Sequence, residues 1–378
     1  MTAPVAPDTP PAPDTTPAPV PPPATVLVTG AAGRFGPHAV RAFLAEGFAV
    51  RALLREGRAV PGGLEGAEIA RGDASDPGAM AAAARGAALI VQGAHPPYAR
   101  WKTDQAPMTE ALLRAARAAG AAILIPGNVY AYGPHMPGTL TEAGPFRGAF
   151  GKPLVRRRME ERLRAAATGA DGGDPVQVIQ LRAGDFIDTR PGANWFESVI
   201  APKAGRGRLG WPGRRADLPH AWAYLPDYAR ACAALALRRA DLPAWTALGF
   251  EGWSMSGEEM RARIETASGI PQRLRPFPWW ALRLAAPVWP LARELREMRY
   301  LWDRPHRVDG ADFAALVPEF RPTPMEAGLA ESLRGLGALP EAAPAAPRDA
   351  SRDPAPTASP AASRDPAPTA APNAAIRA

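Results

Sequence analysis

From residue 24 onward, short apolar runs and amphipathic stretches take turns along the chain. Runs over 25–28, 49–54, 88–91 and 122–125 have the length and the Val, Ile and Leu content of buried strands, and 67–70 is a weaker candidate for another. Between them, 38–46, 77–85 and 109–119 repeat their apolar positions at the helical period. A helix over 154–167 and a strand over 176–181 continue the series. Strands alternating with helices of this size predict an α/β protein with a Rossmann-type doubly wound parallel sheet. The expected domain spans 24–181. Past Arg182 the alternation lapses and Trp, Pro and Gly become frequent, which predicts a smaller C-terminal lobe over 182–338 with some return to the sheet. Helices are expected there over 228–239 and 257–267. A third amphipathic stretch, 279–302, is broken at Pro287 and Pro290 and reads as a packing helix rather than a membrane-surface one. The Pro/Ala-rich ends, 1–23 and 339–378, lack periodicity and are expected to be disordered tails.

One segment joins this pattern to chemistry. Val26-Leu-Val-Thr-Gly30-Ala-Ala-Gly33-Arg34-Phe35-Gly36 runs from the first strand through a glycine-rich turn into a helix opening at Pro37. Gly30 permits the tight turn, Gly33 lets backbone approach a pyrophosphate, and Gly36 lets the helix pack on the strand. The helix N-terminus adds free N–H groups and a partial positive charge. This placement, more than the glycines alone, predicts a dinucleotide site. The second strand ends in Arg55 where an acidic residue would bind the ribose of NAD(H). Arg55, helped by Arg34, suits the 2′-phosphate of NADP(H), and Glu56 on the ribose is the NAD(H) alternative. Gly72-Asp73 follows the third strand, where Asp73 serves either the adenine amino group or the local turn. Gly93 and His95 follow the fourth strand, at the carboxyl ends of the strands where ligands bind in an open parallel sheet.

In this order the segments resemble the extended short-chain dehydrogenase/reductase family, within its NAD-dependent epimerase/dehydratase group. The resemblance spans roughly 24–335 and also rests on Val129-Tyr130-Ala-Tyr132-Gly133-Pro134, Arg182-Ala-Gly184-Asp185-Phe186 and Trp222-Ala-Tyr224-Leu-Pro226-Asp227. It implies a Ser or Thr, a Tyr and a Lys four residues on, handling the proton while hydride moves to or from nicotinamide. In the places it assigns to those three residues this chain carries Asn128, Lys152 and Arg156. Asn128 can orient a carbonyl, Lys152 with Arg156 beside it can exchange a proton, and Tyr130 is a further donor. Asp185, Trp222 and Tyr224 fall where the resemblance places substrate. Two functions remain open: an oxidoreductase or epimerase with an altered site, acting on a carbonyl, hydroxyl or sugar-type small molecule, and a catalytically inactive NADP(H) sensor.

Composition narrows the picture. The net charge of +7 on 378 residues suits an anionic cofactor and is too small and scattered to predict nucleic-acid binding. The run Arg156–Arg158 reads as a solvated helix face, and His38 as exposed. A single cysteine, Cys232, rules out an internal disulfide and reads as a small core residue. The five histidines lack ligand spacing, so no metal is expected. No signal peptide and no apolar run of about 18 residues is present, so a cytoplasmic protein without a membrane span is expected. A homodimer is compatible with the family.

Overall fold

A computed structural model describes residues 24–339, apart from residue 193. Both expected tails lie outside the described residues, except for Leu339. Seven parallel strands form the central sheet: β1 (Thr25–Thr29), β2 (Ala49–Leu54), β3 (Glu68–Arg71), β4 (Ala87–Gln92), β5 (Ala122–Asn128), β7 (Val178–Ala183) and β11 (Trp245–Gly249). Their order is β11-β7-β5-β4-β1-β2-β3. Val26, Leu27, Val28, Ile90, Val91, Ile123 and Leu124 are wholly buried because helices cover both faces of the sheet. On one face lie α1 (Phe35–Ala45) and α5 (Leu225–Leu237), whose core includes Phe43, Tyr228 and Cys232. On the other lie α2 (Pro77–Ala84), α3 (Trp101–Ala119) and α4 (Gly151–Ala167), packed through Met80, Leu112, Leu113 and Leu163.

Apart from the seven-stranded sheet, β8 (Asp185–Ile187), β10 (His220–Tyr224) and β12 (Trp253–Met255) form a three-stranded one. Two short parallel pairs complete the strands: β6 (Thr139–Leu140) with β14 (Arg307–Val308), and β9 (Arg208–Trp211) with β13 (Arg273–Pro276). The helix α6 (Gly257–Ser268) begins at a capping box between Ser256 and Glu259. The stretch after it resolves into two short helices, α7 (Trp279–Ala285) and α8 (Pro290–Glu297). Proline at 287 and 290 supplies no backbone N–H to an α-helical ladder, which accounts for the break.

Three local expectations change. Helix α3 starts eight residues earlier than 109, because Pro107 is accommodated inside it. His38 is buried, since Asp188 reaches over α1 and meets its Nε2 at 2.8 Å. Arg156 does not join a solvated face. It is buried, donating through Nε to Glu160 at 3.1 Å and through Nη2 to the Pro126 carbonyl at 2.5 Å.

Candidate active site

Strand order reverses between β1 and β4, with the chain returning on opposite sides of β1. At such a point the carboxyl ends of adjacent strands part and leave a crevice. Gly30 (φ +64°) turns the chain out of β1, and a Cβ there would lie 2.6 Å from the Ala94 backbone nitrogen. The Gly33 N–H donates to the Gly30 carbonyl at 2.8 Å, and a Cβ on Gly33 would come within 2.9 Å of that oxygen. A Cβ on Gly36 would collide with the Ala31 carbonyl, so α1 rests directly on the turn. A side chain on Gly93 would press on the Thr29 carbonyl at 2.6 Å. Four glycines thus keep one end of the sheet bare backbone.

The groove over this surface is lined by Gly30, Gly33, Arg55, Asp73, Gly93 and His95, together with Arg58. Arg55 Nε faces Asp73 Oδ2 at 3.2 Å. Asp73 Oδ1 also accepts from the Ser75 N–H and hydroxyl at 2.8 and 2.7 Å, and the Ser75 backbone bond leads in holding its carboxyl below the usual carboxylate range. The cap of α2 is Asp76, which accepts from Ala79 N–H at 2.6 Å, so Asp73 serves the turn ahead of it. His95 is exposed and packs edge-on against Trp101. The remaining motif residues lie elsewhere. Arg34 turns to the segment after β8, donating to Asp188 at 2.6 Å and to the Pro191 carbonyl at 2.8 Å. Phe35 packs on Tyr228.

Beyond the groove, the end of β5 and the start of α4 bring the predicted proton-handling residues toward one another. Asn128 Oδ1 accepts from Tyr130 N–H at 3.0 Å and so caps the 3-10 turn Val129–Tyr132. The Tyr130 hydroxyl meets that of Tyr98 at 2.5 Å. Lys152 lies over the Tyr98 ring, 4.9 Å from its centre. Burial pushes both tyrosines above their usual range, so they are donors at neutral pH. Burial also lowers Lys152 to about 8, against the opposing pull of Glu297. Glu294 is ion-paired with Lys152 Nζ, and Glu297 accepts from Lys152 N–H at 2.5 Å. Both carboxylates come from α8, which therefore closes over this corner. Arg156, one turn along α4, points instead into a buried lattice in which Arg182 pairs with Glu142 at 2.6 Å and Glu160 at 2.8 Å.

Sequence position alone passes over Tyr98. It is followed at the Tyr-x-x-x-Lys spacing by Lys102, yet this pair precedes β5 and lies outside the place the resemblance assigns to it. Glu294 and Glu297 are likewise missed. Their only signal is an i, i+3 spacing on a helix far along the chain.

The three residues expected at substrate divide. Asp185 is half-buried, and its Oδ2 accepts from His220 Nε2 at 2.8 Å. Trp222 and Tyr224 are buried. Trp222 donates to the Met255 carbonyl at 3.1 Å, and Tyr224 stacks on Trp253 while bonding Glu331 at 2.5 Å. Trp211, Trp222 and Trp302 form one packed aromatic cluster with His220. Among the described residues, no group of three or more His, Cys, Asp or Glu side chains is arranged to hold a metal ion.

The NmrA-like family model matches residues 22–135, the stretch that contains the glycine turn, Asp73 and Tyr98. No curated protein matches the sequence. Solved structures do resemble the fold. A candidate epimerase from Burkholderia cenocepacia J2315 is 19% identical with a TM-score of 0.67, covering 84% of this chain and 99% of its own. UDP-glucose-4-epimerase from Stenotrophomonas maltophila, solved with NAD and formylated UDP-arabinopyranose, is 16% identical with a TM-score of 0.64, covering 83% and 98%. UDP-glucose 4-epimerase from Brucella ovis, in complex with NAD, is 16% identical with a TM-score of 0.61, covering 81% and 96%.

Proposed function

We infer that this chain, an extended short-chain dehydrogenase/reductase of the NAD-dependent epimerase/dehydratase type in its architecture, binds a nicotinamide dinucleotide and works as an oxidoreductase or epimerase. Its substrate would be a carbonyl, hydroxyl or sugar-type small molecule. The observation that carries this reading is the glycine turn at the β1/β4 crossover, where added Cβ atoms would collide with the backbone of Thr29, Gly30, Ala31 and Ala94 and force apart the turn whose exposed amides would receive a diphosphate. Two of the three solved relatives named above were determined with NAD. NADP(H) is favoured over NAD(H), because Arg55 and Arg58 line the groove at the end of β2 and Glu56 is not among its lining residues.

When bound, the nicotinamide supplies or accepts a hydride. The chain's own part is to orient the substrate and move one proton. The Asn128 side-chain oxygen is already taken by Tyr130 N–H, which leaves its amide hydrogens for a substrate oxygen. Tyr98 and Tyr130 stay protonated and donate hydrogen bonds. Lys152, with a pKa of about 8, is the group that exchanges a proton near neutral pH, assisted by the adjoining hydroxyl pair. Arg156 acts through the Pro126 carbonyl and Glu160 and so positions β5 and α4. Asp185 with His220 is a polar pair available to substrate hydroxyls.

One observation favours a second reading, a catalytically inactive NADP(H) sensor: the Lys152 ammonium is already ion-paired with Glu294 of α8. Fluorescence titration with NADPH and NADH, followed by a screen of carbonyl compounds and sugar nucleotides with wild type and Lys152→Ala, separates the two. Turnover lost on that substitution supports the enzyme. Tight cofactor binding without turnover across the screen supports the sensor. Failure of both coenzymes to bind at millimolar concentration overturns both.

A further inference from the structure

We propose that the α7–α8 hairpin docks peripherally on an anionic lipid bilayer. Eight large apolar side chains are exposed among the described residues, and five of them lie on this one hairpin: Trp280, Leu284, Val288, Trp289 and Leu291. Leu284 is 72% exposed and Val288 is 86% exposed. The hairpin does not show this surface for want of folding. Leu282, Ala286 and Ala292 form a small core of their own beneath it, and Trp279 ties that core to the main aromatic cluster by donating to the Pro212 carbonyl at 2.7 Å. The amphipathic stretch expected to pack therefore packs on one side only, and its other apolar side faces solvent. A concentration of aliphatic side chains and indoles on a short exposed hairpin is the composition of an interfacial segment.

Charge selects the occupant. Between residues 273 and 297 the chain carries five arginines, Arg273, Arg275, Arg283, Arg293 and Arg296, all exposed. The two acidic residues of that stretch, Glu294 and Glu297, are turned inward onto Lys152. A symmetric contact with a second copy would set these arginines against one another. Anionic headgroups would pair with them while the apolar tip enters the acyl boundary. Neither helix is long enough to span a bilayer, so the contact is a surface one. Because α8 presents Leu291 outward, next to the exposed Trp289, and Glu294 and Glu297 to Lys152, the docked face adjoins the lysine corner of the site.

The test is co-sedimentation of the full chain with phosphatidylglycerol vesicles and with phosphatidylcholine vesicles, alongside Leu284→Asp/Val288→Asp and Arg283→Glu/Arg293→Glu/Arg296→Glu variants. Both sets of substitutions fall on exposed positions. The expected result is binding to the anionic vesicles at least about tenfold stronger than to the zwitterionic ones, weakened by salt and reduced about tenfold or more by either variant. Quenching of tryptophan emission by brominated phosphatidylglycerol in the wild type should be lost in the Leu284→Asp/Val288→Asp protein. Absence of binding to phosphatidylglycerol at low salt overturns the proposal, as does binding that both variants retain. A wild-type dimer in ultracentrifugation that the aspartate variant converts to monomer also overturns it, and assigns the face to a second copy. These readouts do not involve the nicotinamide cofactor, so the proposal and the functional reading stand or fall separately.

Discussion

The ammonium group of Lys152 lies 4.9 Å from the centre of the Tyr98 ring, whose hydroxyl is 2.5 Å from that of Tyr130. The lysine comes from the start of α4 and the tyrosines from the 3-10 turns that follow β4 and β5, so a Tyr and a Lys meet here from separate elements. Burial brings Lys152 to about 8. In carbonyl reduction the protonated amine is the donor. Activity should therefore be full below pH 8 and fall above it, with the opposite slope for oxidation. Lys152→Met should lower kcat by about 100-fold or more and abolish the limb near pH 8. A variant keeping that limb would assign the proton to another group.

Arg55 governs the choice of coenzyme. Its guanidinium is largely exposed in the groove and is restrained only by Asp73 at 3.2 Å. A 2′-phosphate would exchange that single exposed ion pair for a charge-assisted contact. Arg55→Glu should weaken NADPH binding about 10- to 100-fold and change NADH binding by less than about threefold. Titration by intrinsic fluorescence reads both constants, and equal losses would remove the argument for NADP(H).

The parts legible in the sequence are those fixed by near neighbours. The strands of the central sheet are apolar on both faces, so Val26–Val28 and Ile123–Leu124 announce themselves. The glycine turn is a local motif, and Cβ atoms on Gly30, Gly33 and Gly36 would collide with the backbone of Ala94, Gly30 and Ala31. What remained hidden depends on partners far along the chain. Arg34 and His38 meet Asp188 some 150 residues on, with separations of 154 and 150. Lys152 meets Glu294 across 142 residues. Arg182 is buried because Glu142 and Glu160 converge on it. A charged side chain's local sequence does not say which carboxylate will reach it. This is why Arg34 and Arg156, which their place in the sequence points toward ligand roles, make structural contacts.

Gly36 tests whether the cradle is rigid. The Ala31 backbone occupies the place of a Cβ, and backbone on both sides cannot give way as a flexible side chain would. Gly36→Ala should force α1 off the turn, costing about 1–3 kcal/mol and lowering Tm by several degrees. Dinucleotide affinity should fall at the same time, because the helix N-terminus moves with it. Scanning fluorimetry with and without NADPH checks both. An unchanged Tm would show that the turn relaxes freely.

Glu197 gives the molecule a stability that depends on pH in an unusual direction. Its Oε1 accepts from Asp188 N–H at 2.6 Å, while Oε2 is buried without a hydrogen-bond partner. Arg34 Nη2 stands 3.6 Å away, but the loss of hydration outweighs that attraction and raises the carboxyl to about 7. The folded state therefore holds a proton that the unfolded chain releases near 4.5. The associated stability is complete below pH 4.5, declines as pH rises, and is gone above about 7. Its size is at most about 3 kcal/mol. Glu197→Gln keeps the Oε1 acceptor and removes the titration. The difference in Tm between variant and wild type should thus shift in the variant's favour by several degrees between pH 5 and pH 8. Thermal melts at those two values decide it, and a difference that does not change with pH would mean that Arg34 keeps Glu197 ionised throughout.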